Sequence, residues 1–171
     1  MKTEVTIEKL KEFVKALEAK KIKYAVIAGF GVDGKRGYQT RPHQDLDILC
    51  SKNDLPKIEE VVEKLGYSGK RFNDLYKLKR GDGSKVDLAL VTEEDKEAVT
   101  YGRIAVTKFP KELFEHPQKG HIENTEFNIA PNELLKTWGS AATKGDDAEY
   151  VKSLSVDSKI MKKIKRTLRS D

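Results

Sequence analysis

The sequence predicts an α+β protein, a mixed β-sheet backed by helices and followed by a helical C-terminal segment. Three observations carry that expectation. Apolar runs at 22–28, 45–50 and 85–91 read as strands. Apolar residues recur at helical spacing over 6–20 and 53–65. Beyond Pro131 the pattern is helical to the end. A boundary near 128–131 divides a core, 1–130, from a helical segment, 131–171, that packs on it as one domain. At 171 residues the chain is long enough to bury a core without staples.

The first helix carries Ile7, Leu10, Phe13, Val14 and Leu17 on one face, with Thr6 as its cap. After the strand at 22–28, the glycines and Pro42 of 29–44 predict a loop. The strand at 45–50 leads to a helix capped by Asn53 or Asp54 and stopped by Gly66. Runs at 74–79 and 85–91 form a hairpin around Gly81-Asp82-Gly83. Residues 92–100 read as a short helix or turn, and 103–107 and 125–129 as short strands. Pro131 suits the first turn of a helix bearing Leu134, Leu135 and Trp138. Helices over 145–155 and 157–169 follow. The last is basic and amphipathic, with Ile160, Ile164 and Leu168 on one side.

Hydrophobic residues make up 37% of the chain and charged residues 36%, the balance of a soluble globular protein. The net charge of +5 favours phosphate-rich ligands. A single cysteine, Cys50, excludes an internal disulfide and a cysteine-based zinc site. It follows an apolar strand and reads as a buried, inert thiol. No apolar run approaches the ~20 residues of a membrane span, and charged residues follow Met1 without a signal peptide. The expected location is the cytoplasm, with no membrane partner.

Gly29-Phe30-Gly31-Val32-Asp33-Gly34 has the form of a dinucleotide-binding fingerprint, but Gly34, Gly37 and Pro42 argue against the helix that such a fingerprint requires. More informative are Asp45 and Asp47. Strand side chains alternate, so both point one way while Leu46 and Ile48 point the other. Asp87 sits among apolar residues of a later strand. Carboxylates in such company are costly unless something pairs with them, and a hard divalent cation such as Mg²⁺ is a natural partner. The other reading is a solvated strand face. A calcium loop is excluded, because Cys50 occupies the position that would need glycine.

Taken together, the glycine turn of Ala28-Gly29-Phe30-Gly31, the Asp45-Leu46-Asp47 pair and the later Asp87 resemble the DNA polymerase beta-like nucleotidyltransferase superfamily. The run Thr40-Arg41-Pro42-His43-Gln44-Asp45-Leu46-Asp47 resembles more closely the small aminoglycoside and lincosamide nucleotidyltransferases. Pro131-Asn132-Glu133-Leu134-Leu135-Lys136 and Lys144-Gly145-Asp146-Asp147 are similar to that group's helical end.

The resemblance implies a nucleotidyltransferase fold and transfer of a nucleoside monophosphate, AMP from ATP, to a hydroxyl. Backbone amides of Gly29, Phe30 and Gly31 would hold the β- and γ-phosphates. Asp45 and Asp47 would bind one or two Mg²⁺ ions, and Asp87 would complete a second metal site or take the acceptor's proton. Arg41 would neutralise phosphate charge. His43 would contact nucleotide, cap the loop or pair with an aspartate. Lys136 and Lys144 are further candidate phosphate contacts, the other reading being solvated surface lysines. The acceptor is an aminoglycoside-like small molecule, a protein or a tRNA. Phe30 departs from the family's small second residue. Its bulk keeps alive an alternative, a non-catalytic nucleotide- or partner-binding module. A processive polymerase is not expected, because the chain has little room for template-handling domains.

Overall fold

Helix α1 (Ile7–Ala19) starts where Thr6 Oγ1 accepts the amide of Lys9 at 3.3 Å, and it buries Leu10, Phe13, Val14 and Leu17. The computed structural model describes residues 4–139 and 146–169. Lys144 lies outside them. Strand β1 (Tyr24–Ile27) passes directly into helix α2 (Ala28–Arg36). Strand β2 (Asp45–Ser51) and a single 3-10 turn lead to α3 (Leu55–Lys64), whose inward face is Ile58, Val61 and Val62. Then come β3 (Ser68–Phe72), β4 (Leu75–Lys79), β5 (Lys85–Glu93), β6 (Glu97–Tyr101) and β7 (Ala105–Pro110). The short α4 (Glu112–Glu115) precedes the hairpin of β8 (Gln118–Ile122) and β9 (Thr125–Ile129). Helices α5 (Asn132–Gly139), α6 (Asp146–Ser153) and α7 (Ser158–Lys163) and strand β10 (Lys165–Leu168) follow.

The strands form one sheet of mixed direction in the order β10-β7-β6-β5-β2-β1-β9-β8, with β4 and β3 branching from β5. At its centre β2 is antiparallel to β1 and parallel to β5. Alternation gives the sheet two faces. Tyr24, Val26, Leu46, Ile48, Cys50, Val86, Leu88 and Leu90 point into a core closed by α1 and α3. Ala25, Ile27, Leu49 and Val91 point the other way, toward Phe109, Phe114, Leu134, Leu135 and Leu154. Cys50 is fully buried, and burial pushes its thiol well above the usual range. Among the described residues no helix is long and apolar enough to cross a membrane.

Four expectations need correction. The stretch 29–44 is not mostly loop, since α2 occupies its first half and ends at Gly37, whose φ of +98° is the left-handed stop of a helix. Residues 92–100 are not helical, and only 94–96 form a turn, closed by the Glu94 amide donating to the Glu97 carbonyl at 2.7 Å. The residues on either side are the end of β5 and most of β6, which pair through Thr92 and Glu93. The helix expected over 157–169 stops at Lys163, and the chain continues as β10 along the edge of β7. Strands β3 and β8, outside the expected set, complete hairpins with β4 and β9.

Candidate active site

The central register builds the site. Ile27, the last residue of β1, stands opposite Asp47, and Asp47 stands opposite Asp87 on parallel β5. Asp45 lies two residues before Asp47 on the same face. Two strands therefore carry their carboxylates side by side, and the start of α2 lies on the third strand beside them. Asp45 is exposed, whereas Asp47 and Asp87 are half-buried.

The electrostatics are those of a site short of positive charge. Burial, then the neighbouring Asp87 and Asp45, push the Asp47 carboxyl up to about 7. Burial also raises Asp87, against the pull of Lys77. Lys77 stands opposite Asp87 on β4, with Nζ 3.9 Å from Oδ2. Such shifts mark carboxylates whose burial outweighs the cations around them. No three His, Cys, Asp or Glu side chains among the described residues form a closed cation nest. An open pair of carboxylates suits Mg²⁺, which keeps several waters and shares its ligands with substrate phosphates.

Ile27 precedes the first turn of α2 in extended conformation and has no side-chain oxygen to cap it. The amides of that turn are donors of the kind that bind anions. Ala28 makes the turn with a φ of +56°, a strained conformation for a residue with a Cβ. Gly29 is needed because a Cβ there would lie 2.5 Å from His43 Nδ1. Gly31 is buried against Leu135 and the Val26 carbonyl. The Phe30 ring is 1% exposed and sits in the core beneath the sheet, 4.5 Å from the His43 ring centroid. It therefore does not stand over the helix terminus. The helix also removes one argument against a dinucleotide fingerprint. The antiparallel pairing of β1 with β2 still excludes that fold.

Behind the turn lies a buried polar network. His43 Nε2 is 2.5 Å from Asp33 Oδ2, and both side chains are almost wholly buried. The Thr40 hydroxyl lies 2.9 Å from Asp33 Oδ1 and 3.2 Å from Asp147 Oδ1. Asp147 of α6 accepts Arg41 Nε at 3.1 Å and meets Arg36 Nη1 at 3.2 Å. Arg36 also stacks on the Tyr150 ring at 4.2 Å. Lys136 of α5 donates to the carbonyl of Lys152 at 3.0 Å. Sequence reasoning misses Asp33 and Arg36. The available signal is that an aspartate spaced among Phe30, Val32 and three glycines is inward-facing once 28–36 is taken as a helix.

A mixed sheet that sets paired strand carboxylates beside a helix start is the frame of a nucleotidyltransferase. More particularly, a profile of the aminoglycoside-2''-adenylyltransferase family matches residues 9–130, and the chain belongs to that family. Solved structures share the fold. The lincosamide antibiotic adenylyltransferase LnuA, lincomycin-bound, superposes with a TM-score of 0.71 at 19% identity, over 90% of this chain and 100% of the other. ANT(2'')-Ia in complex with adenylyl-2''-tobramycin gives 0.63 at 14% identity, over 83% of this chain and 84% of the other. The solution structure of ANT(2'')-Ia gives 0.65 at 16%, over 84% and 78%. No curated protein sequence gives a significant match.

Proposed function

We propose that the protein transfers AMP from Mg²⁺-bound ATP to the hydroxyl of a small molecule. The observation that carries this reading is the register Ile27–Asp47–Asp87, which sets two carboxylates beside the start of α2. In this reading the amides of Gly29, Phe30 and Gly31 bind the phosphates, and Asp45 and Asp47 hold the cation. Mg²⁺ there would neutralise the triphosphate and stabilise departing pyrophosphate. Asp87 accepts the proton of the acceptor hydroxyl as its oxygen attacks the α-phosphorus. The bond from that phosphorus to the bridging oxygen breaks, and pyrophosphate leaves. His43, packed on Gly29 and paired with Asp33, holds the turn in shape rather than touching nucleotide. Arg41, engaged by Asp147, fixes the loop that leads into β2.

The adenylyl group and the small acceptor are supported by the family and by neighbours bound to lincomycin or to adenylyl-tobramycin. A protein or tRNA acceptor has no comparable support. The non-catalytic alternative rested on Phe30, and its buried ring removes that ground. The test is thermal stability with each of the four nucleoside triphosphates, in Mg²⁺ or in EDTA, beside Asp45→Asn/Asp47→Asn. A metal-dependent rise for ATP, absent from the double variant, is expected. No rise with any triphosphate would sink the proposal.

A further inference from the structure

The geometry points to an acceptor that carries an anionic group on an aromatic or apolar body, seated in the cavity beside Asp87. This rests on the nucleotidyl-transfer reading and narrows it. The cavity has a volume of about 210 Å³, and its walls include Leu75, Ala89, Arg103, Ile104, Trp138 and Arg166. Ala89 lies two residues beyond Asp87 on the same face of β5, about 7 Å along the strand. A molecule resting on Ala89 and Leu75 thus lies within reach of the carboxylate that would take its proton. Leu75 and Ala89 are opposite one another in the ladder and form an apolar floor.

The walls state the chemistry of the occupant. The Trp138 ring is held edge-on by Phe109, with centroids 5.9 Å apart, so it offers a fixed aromatic surface. Two arginines line the same space, and no described residue lining it is acidic. Arg103 lies over the Phe72 ring at 5.1 Å, and Arg166 donates one N–H to the Thr137 carbonyl at 3.2 Å. Neither contact neutralises the charge, and each guanidinium has further N–H donors. Such a pair recognises a carboxylate or phosphate and disfavours a polycation. Apolar floor, aromatic wall and two cations describe an anionic, ring-bearing hydroxyl compound rather than a polyamine sugar.

The protein has one tryptophan, so quenching of its fluorescence reads occupancy of this cavity without any turnover. We would titrate the full chain with phenyl β-D-glucuronide, its uncharged analogue phenyl β-D-glucoside, and tobramycin. The glucuronide is expected to bind about tenfold more tightly than the glucoside, as one charge-assisted hydrogen bond supplies. Arg103→Gln and Arg166→Gln, tested separately, should each shrink that ratio. Arg103 lies in the turn between β6 and β7, so its variant should keep the parent melting temperature. Equal binding of the two glycosides, tighter binding of tobramycin, or no quenching by the glucuronide would overturn the inference. So would a loss of Mg²⁺·ATP affinity in the arginine variants in place of the loss of charge preference, since it would assign the guanidinium groups to the donor. A parallel melting measurement with Mg²⁺·ATP keeps the two ideas apart. No charge preference with an intact ATP response rejects only this acceptor class. Charge preference with no ATP response keeps the cavity and rejects the transfer.

Discussion

Around Asp45, Asp47 and Asp87 the two faces of β2 and β5 differ by one residue of phase and have opposite characters, whereas further along Leu49 and Val91 are buried on the carboxylate side as well. Leu46, Ile48, Val86 and Leu88 are completely buried under α1 and α3. Their neighbours Asp45, Asp47 and Asp87 face the other way, crowded together, with Lys77 and Lys85 as nearby cations. The closed face holds the strands in place, and the open face uses that rigidity to keep like charges adjacent. A one-residue slip of either strand would exchange the two sets, so register is under strong selection by the core alone. The lesson is that the candidate-site carboxylates are placed by apolar residues buried on the opposite face.

Substitutions on the two faces should therefore part company. The largest effect is expected at Asp47→Asn, which should lower transfer by about 10³-fold or more, on the order of 4 kcal/mol in the barrier, while leaving the fold intact. A retained rate in a steady-state assay would break the contrast. Phe13→Ala, beneath the closed face, should do the reverse, costing about 3–5 kcal/mol of stability in denaturant melts.

A pH series sharpens the open face. The folded state holds Asp47 at about 7, above its ordinary carboxylate value, so it binds a proton more tightly than the unfolded chain does. Metal-free stability should fall as pH rises from about 4 through about 7. Mg²⁺ should offset that loss above pH 7, and Asp47→Asn should flatten the profile. Melting temperatures at pH 5 and pH 8, with Mg²⁺ or EDTA, decide it. The smallest effect is expected at Ala28, where β1 passes into α2. Ala28→Gly removes a left-handed strain and should add about 0.5–1 kcal/mol in the same melts.

How far these features are legible in the chain depends on whether their cause is local. Helix α1 and strands β2 and β5 are legible because burial imposes a period on adjacent residues. Helix α2 is not, because its glycines have the composition of a loop while serving close packing, Gly29 against His43 and Gly31 against Leu135. The end of the chain misleads for a different reason. Ile160, Ile164 and Leu168 have helical spacing, yet the free edge of β7 recruits 165–168 into the sheet, leaving Leu168 76% exposed. Of the candidate site, the aspartates are legible because alternation reveals a shared face. The partners of His43 and Arg41 are not, since Asp33 lies within the stretch read as loop and Asp147 lies 106 residues from Arg41.

That last separation has a consequence for synthesis. Every strand carrying the carboxylates has left the ribosome well before Asp147 emerges. The loop leading into β2 must wait for a partner 107 residues beyond Thr40 before its hydroxyl, Arg41 and Arg36 share one buried anion. A nascent chain halted before α6 has every described strand except β10 and an unfinished turn, so completion of that turn is timed by the emergence of α6.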